Sequence, residues 1–395
     1  MKVKIAALAL FVFYVFSGCE NNVISPLPSY IEKMVFVSMP DLADASYNSY
    51  SNIFSINLDG SNLKQLTYGQ NYSSFYPIIS HDGRKIIFES TRDGIVKIYS
   101  MNIDGSNITP LTNDPTINNY PQISGDDSFI VFQRGGNNLN GHFIRTQICR
   151  INLDGSNLIT LSDTSRYAQN PMINTIYKKI YFTQIINGNS ILFSVDYDGS
   201  NLEALTDSTI GFSNEMNDYS ISHDGSKIAF IDLPNYSTKT DLCIMNADGS
   251  GIRKLTQDSN MEARPVFTID DSQIVYDVSG HSSEDKIMPI KIISVAGGTP
   301  KDLIEMVRAS NPVVNLRGDK ILFTAVNNGH LLCRSKLSFD LQLIAAKTIE
   351  VQQLFPCKGD LKESKGVCKS FTAKLISFGS SIKLFKGFKK SLTSL

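Results

Sequence analysis

The sequence has no tryptophan and only five histidines in 395 residues: His81, His142, His223, His281 and His330. A histidine-built metal cluster therefore has little to draw on. No Gly-x-Ser-x-Gly elbow, no His-Glu-x-x-His and no Cys-x-x-Cys occurs, so the linear signatures of a serine hydrolase, a zinc protease and a thiol redox site are missing. Six cysteines in so long a chain do not make a disulfide scaffold. Cys149, Cys243 and Cys333 fall in apolar stretches and read as small buried hydrophobes. The formal net charge of -1 gives no whole-protein footprint for nucleic acid. Sustained helical periodicity is also missing from the body of the chain. What remains is 42% apolar residues, with 22 Phe and 16 Tyr, a composition that supports a packed core of short strands.

The N-terminus reads as an address. Lys2 and Lys4 precede an apolar run from Ile5 to Phe16, and Ser17, Gly18 and Cys19 follow. These are the parts of a secretory signal over residues 1–18. The run is about a dozen residues, short of the ~20 that a spanning helix needs. Phe16-Ser17-Gly18-Cys19 resembles the lipobox of bacterial lipoproteins, with Phe16 where Leu is usual. That resemblance implies lipidation of Cys19 and a membrane anchor, with residues 19–30 as a short tether. An ordinary signal peptide with an incidental cysteine is the alternative.

A repeat fills residues 31–340. Asn57-Leu-Asp59-Gly60-Ser-Asn-Leu recurs as Asn102-Ile-Asp104-Gly105-Ser-Asn-Ile. It recurs again around Asp154-Gly155, Asp198-Gly199 and Asp248-Gly249, and in degraded form at Ala296-Gly297; copies lie 44 to 50 residues apart. A second element alternates with it. Its clearest copy, Pro77 to Phe88, contains Ser80-His81-Asp82-Gly83, and Asp224-Gly225 marks an equivalent turn. Asp-Gly between short β-rich runs is a turn signal, because Gly accepts φ > 0 and Asp caps its own turn. A calcium reading of these turns is weaker, since the ion needs six to eight oxygens. No metal or other cofactor is expected.

Four short strands every 40 to 50 residues make one propeller blade. The expected fold is all-β, a β-propeller of four-stranded blades, seven favoured over six. The first copy lacks its inner strand, which the C-terminal region would have to supply. Both elements together resemble the repeats of TolB-type β-propellers, with His81 and His223 where Pro is usual. The resemblance covers about residues 31–325 and implies a fold; function has to be argued from sites. His81 and His223 could line one mouth as metal ligands, or each could replace a turn proline in its own blade; the second reading is preferred.

Three insertions are the expected binding loops: Pro40 to Ser51 with Tyr47 and Tyr50, Arg134 to Gln147 with His142 and Phe143, and Leu233 to Asp241 with Tyr236. Each joins the second and third strands of its blade, so all should emerge on one face. Beyond about Phe339 the template fails. Residues 341–395 read as a basic tail, disordered, irregular or altered by a reading-frame change; from Ala346 on, ten lysines face one aspartate and two glutamates. The resulting expectation is a monomeric, exported lipoprotein, periplasmic or at the cell surface, that is not an enzyme and binds an envelope protein or glycan. Two alternatives stay open: a propeller enzyme of polysaccharide lyase or glycosidase type with its site at the central mouth, and a degenerate paralogue.

Overall fold

The computed structural model describes residues 33–38, 50–57, 61–137, 143–212, 218–233, 239–258, 260–279, 289–304, 308–314, 320–327, 330–340, 348–353, 372–378 and 381–383. Cys19, Tyr47, Asp59, Gly60, His142 and Tyr236 lie outside these residues, as do the signal and tether segments.

The described residues form seven antiparallel sheets that follow one another along the chain. Blade 2 shows the plan. Its strands Ser74–Ile79, Lys85–Ser90, Lys97–Asn102 and Thr109–Pro110 pair in sequence order from the inner edge outward. Blades 3 to 6 repeat this order, with inner strands Asn118–Ile123, Ala168–Asn174, Tyr219–Ile221 and Met261–Phe267. Inner strands of consecutive blades touch one another around the axis.

The ends differ from the plan. Blade 1 has three strands, Lys33–Ser38, Asn52–Asn57 and Lys64–Gln65. Blade 7 has six: after Arg308–Val314, Lys320–Asn327 and His330–Asp340, the segments Thr348–Gln353, Thr372–Phe378 and Ser381–Lys383 extend its outer edge. The expectation that the C-terminal region completes blade 1 is thus corrected for the described residues. Its strands stay in sequence order on blade 7, because each pairs with the hairpin partner nearest in the chain.

Local chemistry explains the repeat. At the Asp-Gly turn of blade 2, Asp104 accepts the Ser106 N–H at 2.9 Å, while Gly105 (φ 87°) and Asn107 (φ 54°) take the left-handed conformations that let the chain reverse. The glycine has a second duty. A Cβ on Gly105 would come within 3.2 Å of the Leu66 carbonyl oxygen of blade 1, and one on Gly249 within 2.5 Å of that of Leu205. The Leu-Thr signature closes each unit, because the outer strand is only two residues long. Hydroxyls of Thr67, Thr112, Ser162, Thr206 and Thr256 accept N–H groups of the strand next to the outer one at 2.9 to 3.1 Å.

The core is not inside the blades but between them. Val35, Ile53 and Leu66 of blade 1 meet Ile86, Phe88, Tyr99 and Met101 of blade 2. Four more clusters repeat this across blades 2–3, 3–4, 4–5 and 5–6. Cys149 and Cys243 are buried in these layers, and burial pushes the Cys243 thiol up to about 12.

Polar latches join the blades at the end where inner strands turn into second strands. Asp127 of blade 3 accepts the His81 N–H, the Asp82 N–H and the His81 Nδ1 contact, each at 2.8 Å. Asp271 does the same for His223 and Asp224 at 2.8 to 2.9 Å. Asn174 completes a third latch, donating to the Gly225 carbonyl at 2.9 Å. The two histidines therefore bind their neighbouring blades, not each other.

Burial alone would raise the Asp127 carboxyl, but the His81 ring and the backbone donors hold it below the usual carboxylate range. A depressed folded pKa gives stability that is present above the unfolded value of ~3.9 and is lost as pH falls through the folded value. Asp127→Asn is expected to cost about 1–3 kcal/mol at neutral pH and to flatten the acid limb of a pH–stability profile. An unchanged acid limb in urea titrations would refute the latch.

Candidate functional site

The inner strands begin at the opposite end from the latches, and they share one irregularity there. In blades 2, 3, 4 and 6 the residue before proline, Tyr76, Tyr120, Asn170 or Arg264, has φ between 50° and 56°. The register slips at the same place, between Phe75/Ile78, Asn119/Gln122, Gln169/Met172 and Ala263/Val266. Blade 7 slips between Ser310 and Val313, around Asn311-Pro312. Proline has no N–H to give the ladder, so the strand bulges and re-aims the residue before it. Left-handed backbone costs a non-glycine residue about 1–2 kcal/mol. A cost repeated in four blades at one level points to use. Blade 5 carries Asp218 at this level, before Tyr219 instead of proline.

Neighbouring blades brace these residues. The Tyr76 and Tyr120 rings meet edge to face at 5.4 Å, and the two hydroxyls are hydrogen-bonded. Burial raises both phenols, and the Tyr76–Tyr120 contact raises Tyr76 further. Beneath them Glu89, 1% exposed, accepts the Tyr120 N–H at 2.6 Å, and burial lifts its carboxyl well above the usual range. Across the axis, Arg264 donates its N–H to Asp218 at 3.3 Å, and its guanidinium grips the buried Asp277 through Nε at 3.0 Å and Nη2 at 2.5 Å. The Asn170 carbonyl accepts the Tyr219 hydroxyl at 2.5 Å.

Aromatic–cation pairs surround this level on the blade linkers. Arg92 lies 5.1 Å from the Tyr72 ring centroid and 4.6 Å from that of Tyr99, and Arg145 lies 5.8 Å from that of Tyr167. Tyr68 is 67% exposed beside them. The three insertions fall between the second and third strands of blades 3 and 5 and between the equivalent first two strands of the three-stranded blade 1, so they leave from this same end. Of their residues, Tyr50 is half-buried and Phe143 opens a strand opposite Asn137.

The chemistry assembled here is two phenols, an amide, a carboxylate and a guanidinium around one axis. Among the described residues no three His, Cys, Asp or Glu side chains converge as a metal cluster. The Asp-Gly carboxylates are engaged within their own turns, as Asp154, Asp198 and Asp248 show with Ser156, Ser200 and Ser250 at 2.9 Å. Sequence reading missed the pre-proline level. Its signal was available: the residue preceding Pro77, Pro121, Pro171 and Pro265.

Residues 42–216 match the profile of the TolB beta propeller domain. Over those residues the chain matches a TolB-type β-propeller. No curated relative matches the chain. Among solved structures, the propeller resembles an oligogalacturonate lyase in complex with manganese, at 13% identity, with 82% of this chain and 88% of that one covered and a TM-score of 0.62. It also resembles a puromycin hydrolase, at 11% identity, with 92% and 62% covered and a TM-score of 0.61. A third is the β-propeller domain of the Trilobed protease from Pyrococcus furiosus, described as having an open velcro topology, at 13% identity, with 83% and 93% covered and a TM-score of 0.57. These likenesses are of fold. They correct the expectation that the chain is not an enzyme: a lyase and a hydrolase have matching folds, so missing linear motifs do not exclude catalysis. A propeller gathers its chemistry from distant blades.

Proposed function

We propose that the chain is an exported, lipid-anchored envelope protein whose propeller binds a glycan across the mouth formed by the pre-proline level. The observation that carries this reading is the set of bulge residues Tyr76, Tyr120, Asn170 and Arg264, joined at the same level by Asp218 of blade 5. Tyrosine faces take the apolar faces of sugar rings, while an amide, a carboxylate and a guanidinium satisfy hydroxyls and acid groups. The linker tyrosines and the insertions around Tyr47, Tyr50, His142, Phe143 and Tyr236 would extend the contact outward. Cys19 would supply the anchor.

A second reading, a glycan-cleaving enzyme at the same mouth, is favoured by Glu89. Burial raises the Glu89 carboxyl above the usual range, the direction that suits proton donation, and an oligogalacturonate lyase shares the fold.

The test uses full-length protein and envelope polysaccharide fractions, with binding followed calorimetrically and products by mass. Tyr120→Ala should weaken binding by about tenfold or more while the melting curve stays cooperative. Retained affinity in Tyr120→Ala and in the loop deletions would sink the mouth as the site. New reducing or unsaturated ends, lost in Glu89→Gln, would move the reading from binding to cleavage.

A further inference from the structure

Blade 6 departs from the repeat at two places that meet. In blade 3, Asn118 of the inner strand donates its amide to Asp114 of the preceding linker at 3.4 Å. The same two positions in blade 6 hold Glu262 and Asp258, so a carboxylate stands where the amide donor was. The second strand carries Phe88, Phe132, Phe182 and Phe230 in blades 2 to 5 but Tyr276 in blade 6, which adds a hydroxyl. Glu262 lies directly opposite Val278, two residues from Tyr276 on the same face, the face that packs on blade 5.

Each added group leaves one buried oxygen without a partner among the described residues. Glu262 is 2% exposed and its Oε1 is unpartnered; Tyr276 is 0% exposed and its hydroxyl is unpartnered. Thr240 of blade 5 closes the cluster, with its hydroxyl 3.2 Å from Glu262 Oε2 and 2.9 Å from the Glu262 carbonyl. Asp258 is exposed and forms the open side. Buried polar atoms are normally satisfied, and two carboxylates side by side need either a shared proton or a cation.

We propose that Glu262, Asp258, Thr240 and Tyr276 hold a calcium ion in the cleft between blades 5 and 6. Two carboxylates match the charge of a divalent cation. Hydroxyl and carboxylate oxygens, with water at the open side, match an ion that takes six to eight oxygens in irregular geometry. Magnesium, which demands a near-ideal octahedron and dehydrates reluctantly, fits less well. The ion would staple the linker before Arg264 to blade 5.

Full-length protein stripped with chelator is titrated with calcium chloride, by calorimetry and by thermal unfolding. One saturable site is expected, with a melting-temperature rise of about 3–5 °C at a hundredfold excess over Kd. Glu262→Gln restores the acid–amide pair of blade 3, so it should fold and lose the calcium response; Tyr276→Phe should fold and bind more weakly. No response in the parent protein, or the same response in Glu262→Gln, would overturn the site. An equal response to magnesium would overturn the choice of calcium.

Discussion

Phe182→Ala should destabilise the protein by about 3–5 kcal/mol, one of the larger effects open to a single substitution. Phe182 is fully buried in the second strand of blade 4 and stacks on Phe193 at 6.0 Å. It belongs to the layer that joins blade 3 to blade 4, with Phe129, Val131, Ile148 and Leu161 on the other side. Truncation removes apolar surface and leaves a void that two flat, hydrogen-bonded sheets cannot collapse to fill. A drop of roughly 5–8 °C in melting temperature follows from the entropy of unfolding a chain of this size. Tyr177→Ala, at a site 52% exposed, should stay within about 0.5 kcal/mol. Equal effects at the two sites would contradict a core that lies between blades.

Asp277→Ala carries the second large effect, and it joins stability to the site. Asp277 has a side chain only 1% exposed and holds the Arg264 guanidinium by two donors. Breaking a buried pair from one side costs about 3–5 kcal/mol, because the remaining charge is left uncompensated. Arg264 keeps 28% of its side-chain surface in water, so the lower end, about 3 kcal/mol, is expected. Binding at the mouth should fall with it, since a freed guanidinium loses its fixed place there. Arg264→Ala leaves the almost fully buried Asp277 carboxylate uncompensated, so it should lose affinity with at least as large a loss of stability. Denaturant titration beside ligand titration reads both. Full affinity in Asp277→Ala would show that Arg264 plays no part in recognition.

The turns and closing Leu-Thr pairs were legible because their chemistry is local. Asp104, Gly105, Ser106 and Asn107 satisfy one another within a few residues, and Thr112 reaches only as far as Ile98. The repeat spacing followed from those turns, and with it the seven sheets. The site was less legible, because its partners are one repeat apart. His81 meets Asp127 at a separation of 46 residues, and Glu89 meets the Tyr120 backbone at 31. The histidines were weighed as replacements for turn proline, although an aspartate stood one period downstream of each. Tyr76 and Arg264 escaped notice for a different reason: the bulge, not strand alternation, decides where they face. Glu262 and Tyr276 stand out only when blades are overlaid and the odd oxygens are counted.

The glycines of the Asp-Gly turns act as spacers as well as hinges. Gly105 and Gly249 press their bare Cα against the carbonyls of Leu66 and Leu205 in the blade before. The thickness of one missing methyl thus fixes how tightly blade 2 sits on blade 1 and blade 5 on blade 4. Wedges stacked in sequence share their errors as stones in an arch do: a small widening at one joint is carried along to the first and last blades. In this chain those are the three-stranded blade and the six-stranded one. An irregular pair of ends is where an accumulated mismatch in angle can be taken up without disturbing the five packed joints from blade 1 to blade 6.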